Sequence, residues 1–411
     1  MTSLTLPPLL IRIVASISGS QKNYAESLHE AFSGNVGSPS TYVNTALGLP
    51  VPVQRHVDVS NLGSALNHAM HTLVIVLMDE NWKDVDLQNL QIFSQEIRNA
   101  HPRHGLMTVR ISGSPLKNES CLESPDHHLW WKNLQSEDKV SQNDPNAAIY
   151  RYKWGEQAER PVWLALSALG HARRLLQVGI FGTSSKPHMT VFLSHAKKDG
   201  LPLARALEHL LSRKSIFHTW YDVKNLYSPN KPMDWRKEIV SGVKSSTVVV
   251  LRTKTYGSRP WCRKEFLLAR DCGVPMVMVE LRNDLERAPD MLTHDAAPTL
   301  WLSDGNLFRV AFAVMRENIR RLLLDRFCHL YSQQHLQSNV PVSILSYTPT
   351  PNRISMAMKS NSQSQLILYP DPPLQGNALN AINAIAPNHT LRTPQQLIIE
   401  SFSASNEDKS S

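Results

Sequence analysis

Two successive series of short strand-like runs, most of them continuously apolar, constrain this chain more than any other feature. A strand that is apolar without alternation is covered on both faces, and such strands belong to parallel sheets. The first series is 9–15, 51–57, 72–78 and 106–111, with helices expected over 24–32, 88–100 and 163–176. The second is 189–193, 217–222, 247–251 and 274–280, with helices expected over 201–211, 235–240, downstream of Pro260 and over 312–327. Alternation of strand and helix predicts an α/β architecture of two tandem parallel sheets flanked by helices. Each series closes on a helix bearing Arg-Arg-Leu-Leu, Arg173–Leu176 in one and Arg320–Leu323 in the other.

At 411 residues the chain is too long for one ordinary domain. The expected division is 1–180, 188–330 and a small α/β segment over 338–411. Strands are expected there at 342–345 and 366–369 and a helix over 376–385. This segment is too short for a full sheet of its own and should pack on a neighbour. Tyr369-Pro370-Asp371-Pro372-Pro373 is either a binding loop or a rigid surface turn. Residues 113–147, rich in Ser, Asn, Asp and Pro, suggest a surface insertion, and the tail over 403–411 should be disordered.

Composition excludes several classes. With 42% hydrophobic and 19% charged residues the chain is globular. The four cysteines, Cys121, Cys262, Cys272 and Cys328, have no metal-ligand spacing and are expected as free thiols. No secretory leader and no apolar run of membrane-spanning length is present, so a cytoplasmic protein with no membrane partner is expected. The formal charge is +8, but the basic residues are dispersed, which favours a solvated surface over nucleic-acid binding.

One carboxylate stands out. Glu265 follows Trp261 and Cys262, about ten residues after the apolar run 247–251 and just past the turn Tyr256-Gly257-Ser258-Arg259-Pro260. Ligands of open parallel sheets bind outside the carboxyl ends of the strands. A helix opening there should point its first turn at that crevice. Glu265 is expected in that first turn, either complementing the helix dipole or facing a ligand.

The order of these pieces resembles the TIR (Toll/interleukin receptor) domain over residues 189–327. The carrying motifs are Val191-Phe192-Leu193-Ser194-His195, Asp222-Val223-Lys224-Asn225-Leu226, Ser245-Ser246-Thr247, and Ser258-x-x-Trp261-Cys262-x-x-Glu265. The last of these is most similar to members that hydrolyse NAD. The resemblance implies a flavodoxin-like sheet, with Glu265 as the catalytic glutamate and NAD+ as substrate, with no cofactor or metal. Ser194, His195 and Lys197 would border the nucleotide, although many members carry Arg or Gly where Ala196 and Lys197 stand. Trp261 would stack on a ring or pack against the sheet edge. Asp222 would be functional or purely structural. It opens a loop, 222–235, that in the family makes contacts between neighbouring domains.

The activity so implied is that of an NAD+ glycohydrolase. Nicotinamide leaves neutral, so no general acid is needed, and the demand falls on stabilising an oxocarbenium-like ribose. Capture by water would give ADP-ribose, and capture within the substrate a cyclic product. The resemblance further implies a stress or antiviral-defence effector in innate immune signalling, activated by self-assembly. A non-catalytic scaffold that signals by TIR–TIR association is the alternative. The first segment lacks a Trp-Cys-x-x-Glu equivalent. Its nearest acid is Glu96, and it is expected to be a degenerate TIR-like or flavodoxin-like sensing or assembly domain.

Overall fold

A computed structural model describes residues 6–15, 20–33, 51–56, 63–79, 82–100, 104–111, 128–129, 156–181, 189–212, 217–220, 235–281, 297–302, 306–335, 341–360, 366–371 and 373–407. Asp222 and its loop lie outside these residues, as does nearly all of the expected insertion 113–147.

The first unit contains β1 (Leu9–Val14), α1 (Ser20–Ser33), β2 (Val53–His56), β3 (His71–Met78), α2 (Asp84–Ala100), β4 (His104–Arg110), β5 (His128–Leu129) and α3 (Glu156–Phe181). Its strands run parallel in the order β2-β1-β3-β4-β5. Every residue of β1, β3 and β4 is buried. Two covered faces explain their largely apolar character.

The second unit repeats this plan. Its elements are β6 (Met189–His195), α4 (Leu201–Ser212), β7 (Phe217–Trp220), α5 (Trp235–Lys244), β8 (Thr247–Arg252), α6 (Pro260–Cys272), β9 (Met276–Leu281), β10 (Thr299–Leu302) and α7 (Leu307–His335). The order is β7-β6-β8-β9-β10, again all parallel. The tandem flavodoxin-like arrangement is therefore present. The fifth strands, β5 and β10, were not legible in the sequence. One has two residues, and the other alternates exposed and buried positions at the sheet edge.

The two closing helices pack on each other. Leu164, Leu169 and Ala172 of α3 and Phe308, Phe312 and Met315 of α7 belong to one hydrophobic cluster that also contains Ile11, Ile75, Val191, Val249 and Val277. Trp163 meets Phe308 edge-to-face, with ring centroids 5.3 Å apart. Polar groups cross the same boundary. Arg316, 1% exposed, donates to the Ala31 and Glu30 carbonyls at 2.8 and 2.5 Å and so caps the C-terminal end of α1. Burial lowers its guanidinium to about 10, still charged at neutral pH. Arg173 of α3 donates to Asn318 of α7 at 3.0 Å, and Asn318 donates to Thr247 at the start of β8 at 3.0 Å.

The C-terminal segment departs from expectation. It forms its own parallel sheet, β11-β12-β13, from β11 (Val342–Ile344), β12 (Leu366–Leu368) and β13 (Thr390–Arg392), with α8 (Pro351–Ser360), α9 (Gly376–Ile385) and α10 (Pro394–Glu407). One face of this sheet packs Leu368, Val342 and Ile344 against Cys328 and Tyr331 of α7, the neighbour that so short a segment needs. The tail is helical to Glu407 rather than disordered over 403–411; residues 408–411 lie outside the description. Thr393 and Gln396 explain the start of α10. Thr393 Oγ1 accepts the Gln396 N–H at 3.3 Å and Gln396 Oε1 accepts the Thr393 N–H at 3.0 Å, a capping box with Pro394 at the first helical position. In the loop after β12, the Leu374 N–H donates to the buried Tyr369 hydroxyl at 2.8 Å, which fits the turn reading. No helix among the described residues is long and apolar enough to cross a membrane.

A single cluster spanning both larger sheets should make them unfold together. Phe308→Ala is expected to cost about 3–5 kcal/mol. Native-state hydrogen exchange should then rise in β1 and β3 as well as in β6 and β8. Protection lost from the second sheet alone would show that the sheets are energetically separate.

Candidate functional site

The site begins with strand parity. Successive side chains of β6 point to opposite faces. Val191 and Leu193 enter the cluster shared with α3 and α7, while Phe192 enters a second cluster with Phe266 and Cys262 of α6. Ser194 has the parity of Phe192 and so faces α6. On α6 the buried residues are Cys262, Glu265, Phe266 and Ala269, the i, i+3, i+4, i+7 stripe of an inward helix face. A carboxylate therefore stands in a stripe that packing alone would fill with apolar groups.

Glu265 is 9% exposed. Ser194 Oγ donates to its Oε2 at 2.6 Å, and the Tyr256 hydroxyl lies 2.7 Å from Ser194 Oγ. Ser194 has one proton and gives it to Glu265, so Tyr256 is the donor to Ser194. The same Tyr256 hydroxyl is 3.2 Å from the Cys262 carbonyl, a longer branch. Two hydroxyls in series thus direct their protons toward the carboxylate and replace part of the hydration that burial removes.

Glu265 is the sixth residue of α6, which opens at Pro260 after the extended Arg259 (φ −92°, ψ 118°). The expectation of a first-turn acid is corrected: the first turn holds none, and Glu265 lies one turn further in. The helix dipole acts over the first turn only. Its complement is thus not what places this acid, and the hydrogen bond from β6 is.

Two loops at the strand ends are tied together. Asp199, after β6, accepts from the Thr253 and Thr255 hydroxyls at 2.7 Å each and from the Thr255 N–H at 2.9 Å, all on the turn after β8. That turn delivers Tyr256. The turn after β6 is tight, with the Gly200 N–H donating to the Ala196 carbonyl at 2.8 Å. A Cβ at Gly200 would lie 3.0 Å from that oxygen.

Around this centre the expected residues divide. His195 is buried, and its Nδ1–H donates to the Leu193 carbonyl at 3.1 Å. Its own carbonyl accepts from the Cys262 thiol at 3.5 Å, so it joins the site through backbone. Trp261 is 38% exposed, with the Lys264 ammonium 4.8 Å from its ring centroid. Trp261 and Glu265 border a cleft of about 550 Å³ between α5 and α6, together with Ile239, Val240, Pro260 and Leu268. Lys197 is exposed on the turn after β6 and is not among the described residues lining that cleft. Asp222 lies outside the described residues. Among the described residues no group of His, Cys, Asp and Glu could hold a metal ion.

Tyr256, Asp199, Thr253 and Thr255 were not singled out from the sequence. The available signals were a tyrosine within an otherwise polar turn and a Thr-x-Thr that could satisfy an upstream acid. Among the described residues the first sheet shows no such centre. Val14 pairs with Val76 as Ser194 pairs with Val250, and Val76 and Val250 each stand two residues before the end of their strand, so a valine occupies the serine's position. Glu96 is exposed on α2.

Hydrogen bonding from Thr253 and Thr255 holds the Asp199 carboxyl below its usual range, outweighing burial, which alone acts most strongly and raises it. A carboxyl with a folded value below its unfolded one adds stability above the unfolded value, near 4. That stability is lost as pH falls through the folded value. Asp199→Asn should therefore lower the Tm at neutral pH, with the difference from wild type shrinking as pH falls below about 4. Thermal melts across that range check this; a constant difference would assign Asp199 another role.

Residues 191–304 match the model of the TIR domain family, and this segment holds Ser194, Asp199, Tyr256, Trp261 and Glu265. No curated protein matches the chain. Among solved structures, the C-terminal domain of glucosamine-fructose-6-phosphate aminotransferase from Francisella tularensis aligns at 12% identity and TM-score 0.21, covering 77% of this chain and 85% of that one. Tagatose-6-phosphate ketose/aldose isomerase from Escherichia coli aligns at 12% identity and TM-score 0.20, covering 77% and 82%. A glucose-6-phosphate isomerase from Chlamydia trachomatis D/UW-3/Cx aligns at 14% identity and TM-score 0.19, covering 78% and 66%.

Proposed function

We propose that the TIR domain at residues 191–304 cleaves the nicotinamide–ribose bond of NAD+, with Glu265 as the catalytic residue. The observation that carries this reading is a carboxylate on the buried face of α6, supplied with a hydroxyl donor and bordering a cleft beside a half-exposed Trp261. A buried acid costs free energy that an apolar residue would not. A desolvated, specifically partnered acid beside a cleft is a candidate for a functional site.

The chemistry follows from the substrate. The C1′–N bond breaks with its electron pair going to the pyridinium nitrogen, so nicotinamide departs neutral. Positive charge develops on the ribose, and the Glu265 carboxylate stabilises it across the cleft. Ser194 restricts the carboxylate to one orientation, and Tyr256 restricts Ser194. Trp261 offers a flat face on which the nicotinamide or adenine ring stacks. Water then bonds to C1′ and loses its proton to Glu265 or solvent, which gives ADP-ribose. Attack from within the bound substrate gives the cyclic product instead. Within this reading the protein is a cytoplasmic stress or defence effector that signals by destroying NAD+ and is switched on by self-association through its TIR domain.

A second reading, a non-catalytic TIR scaffold, is favoured by one observation: Glu265 Oε2 turns toward Ser194 and the sheet. Direct assay separates the two. Glu265→Gln keeps shape and loses charge. With full-length protein, including at high concentration or under crowding, it is expected to lower NAD+ loss and nicotinamide release by at least about a hundredfold, with the circular dichroism spectrum unchanged. Ser194→Ala is expected to lower the rate by about tenfold, since it loosens the carboxylate without removing it. Wild-type turnover in the Gln variant would remove Glu265 from the mechanism. Intact NAD+ with wild-type protein throughout would favour the scaffold.

A further inference from the structure

The C-terminal end of α6, the helix that carries Glu265, is gripped by the C-terminal segment. The helix closes on Gly273 in the left-handed conformation (φ 60°, ψ 29°). The Gly273 N–H bonds to the Arg270 carbonyl at 3.0 Å and the Val274 N–H to the Ala269 carbonyl at 3.2 Å, the pairing of a Schellman motif. The Asp271 carbonyl is taken by Arg353 of α8, whose Nε donates to it at 2.7 Å. The Arg353 guanidinium also lies 4.4 Å from the ring centroid of Tyr347, and Arg321 of α7 lies 5.8 Å from the same ring. Arg321 is itself fixed, donating to the buried Glu317 at 2.8 Å. The fit is closest at Gly273. A Cβ there would stand 2.6 Å from Arg353 Cζ and Nη2 and from Tyr347 Cγ.

We infer that Arg353, stacked on Tyr347, is a positioning residue for Glu265: the C-terminal segment sets the axial position of α6 and thereby where the carboxylate stands against Ser194 and the cleft. This rests on the role proposed for Glu265. The mechanical link is short. Six residues separate Glu265 from Asp271, about 9 Å of continuous helix, and a hydrogen-bonded helix carries an axial shift along its length. The contact suits the task because guanidinium is rigid and planar. It donates to a carbonyl and stacks on an aromatic ring at once, which an ammonium on a flexible stem does not. The described part of the C-terminal segment then belongs to the frame of the site rather than to a separate recognition module.

The test uses full-length protein with Arg353→Ala and Arg353→Lys, with wild type and Glu265→Gln as references. Two readouts are taken: steady-state NAD+ cleavage, and hydrogen exchange of the α6 amides with α4 as internal control. Arg353→Ala is expected to lower kcat about tenfold, within the loss of about a hundredfold that a 1 Å misplacement produces. KM is expected to rise in the same variant, by no more than about tenfold, since Trp261 rides on the same helix. Arg353→Lys should lie between. Exchange should accelerate over residues 265–273 in the Ala variant and stay unchanged in α4. Wild-type kcat together with wild-type exchange in α6 overturns the inference. So does a kcat loss matched by uniform acceleration in both helices, which is general destabilisation. Should wild type leave NAD+ intact, the cleavage reading fails by itself, and α6 exchange alone decides whether Arg353 braces the helix.

Discussion

The first half of α7 is apolar on nearly every side, and such a helix is stable only between two covering layers. Val310, Ala311, Phe312, Ala313, Val314 and Met315 are all buried in succession. The second sheet covers one side and α3 covers the other, so the first sheet is held to the second by the requirement to bury one helix. The same helix continues, at 29 residues, into the third sheet, where Cys328 and Tyr331 meet Leu368. Charged groups survive in this setting only with partners. Arg316 has the carbonyls at the end of α1, and Glu317 has both Arg320 and Arg321. Arg321 then reaches Tyr347, which connects the spine to the contact that grips α6.

Against this background the site is a local exception to packing. The inward stripe of α6 is Cys, Phe and Ala apart from Glu265, and the outward-facing Trp261 is left half in water. Both choices run against core economy, and both lie beside one cleft. The surrounding structure compensates. Ser194 sits at a strand position whose parity faces the acid, Tyr256 is fully buried behind it, and Asp199 ties the two delivering loops together. A local departure from packing rules with dedicated support around it is the pattern expected where structure serves chemistry.

Much was legible from residue order. Continuous apolar runs at β1, β3, β6 and β8 announced buried parallel strands, since no other element needs both faces covered over six to eight residues. Trp-Cys-x-x-Glu marked the acid. The failures have physical causes. A two-residue β5 has no period to detect. The sheet of the C-terminal segment rests on three-residue strands, each too short to distinguish from loop. The polar, serine-containing end of helix α10 resembles a disordered tail in composition, although the capping box at Thr393 and Gln396 signals a helix start.

By itself the sequence determined four strands of each large sheet and most of their helices, the parallel class of those sheets, and one acid on an inward helix face, Glu265. Period and composition are local properties, and each can be read within a window of ten or so residues. Tertiary structure alone decided that Arg173–Leu176 and Arg320–Leu323 lie on helices packed together. It alone decided that Ser194 and Tyr256 serve Glu265, and that Arg353 closes on the helix carrying it. These partners are separated by 71 residues in one case and 82 in another. A hydrogen bond between groups so far apart in the chain depends on sheet order and strand parity, which exist only once the whole sheet has formed.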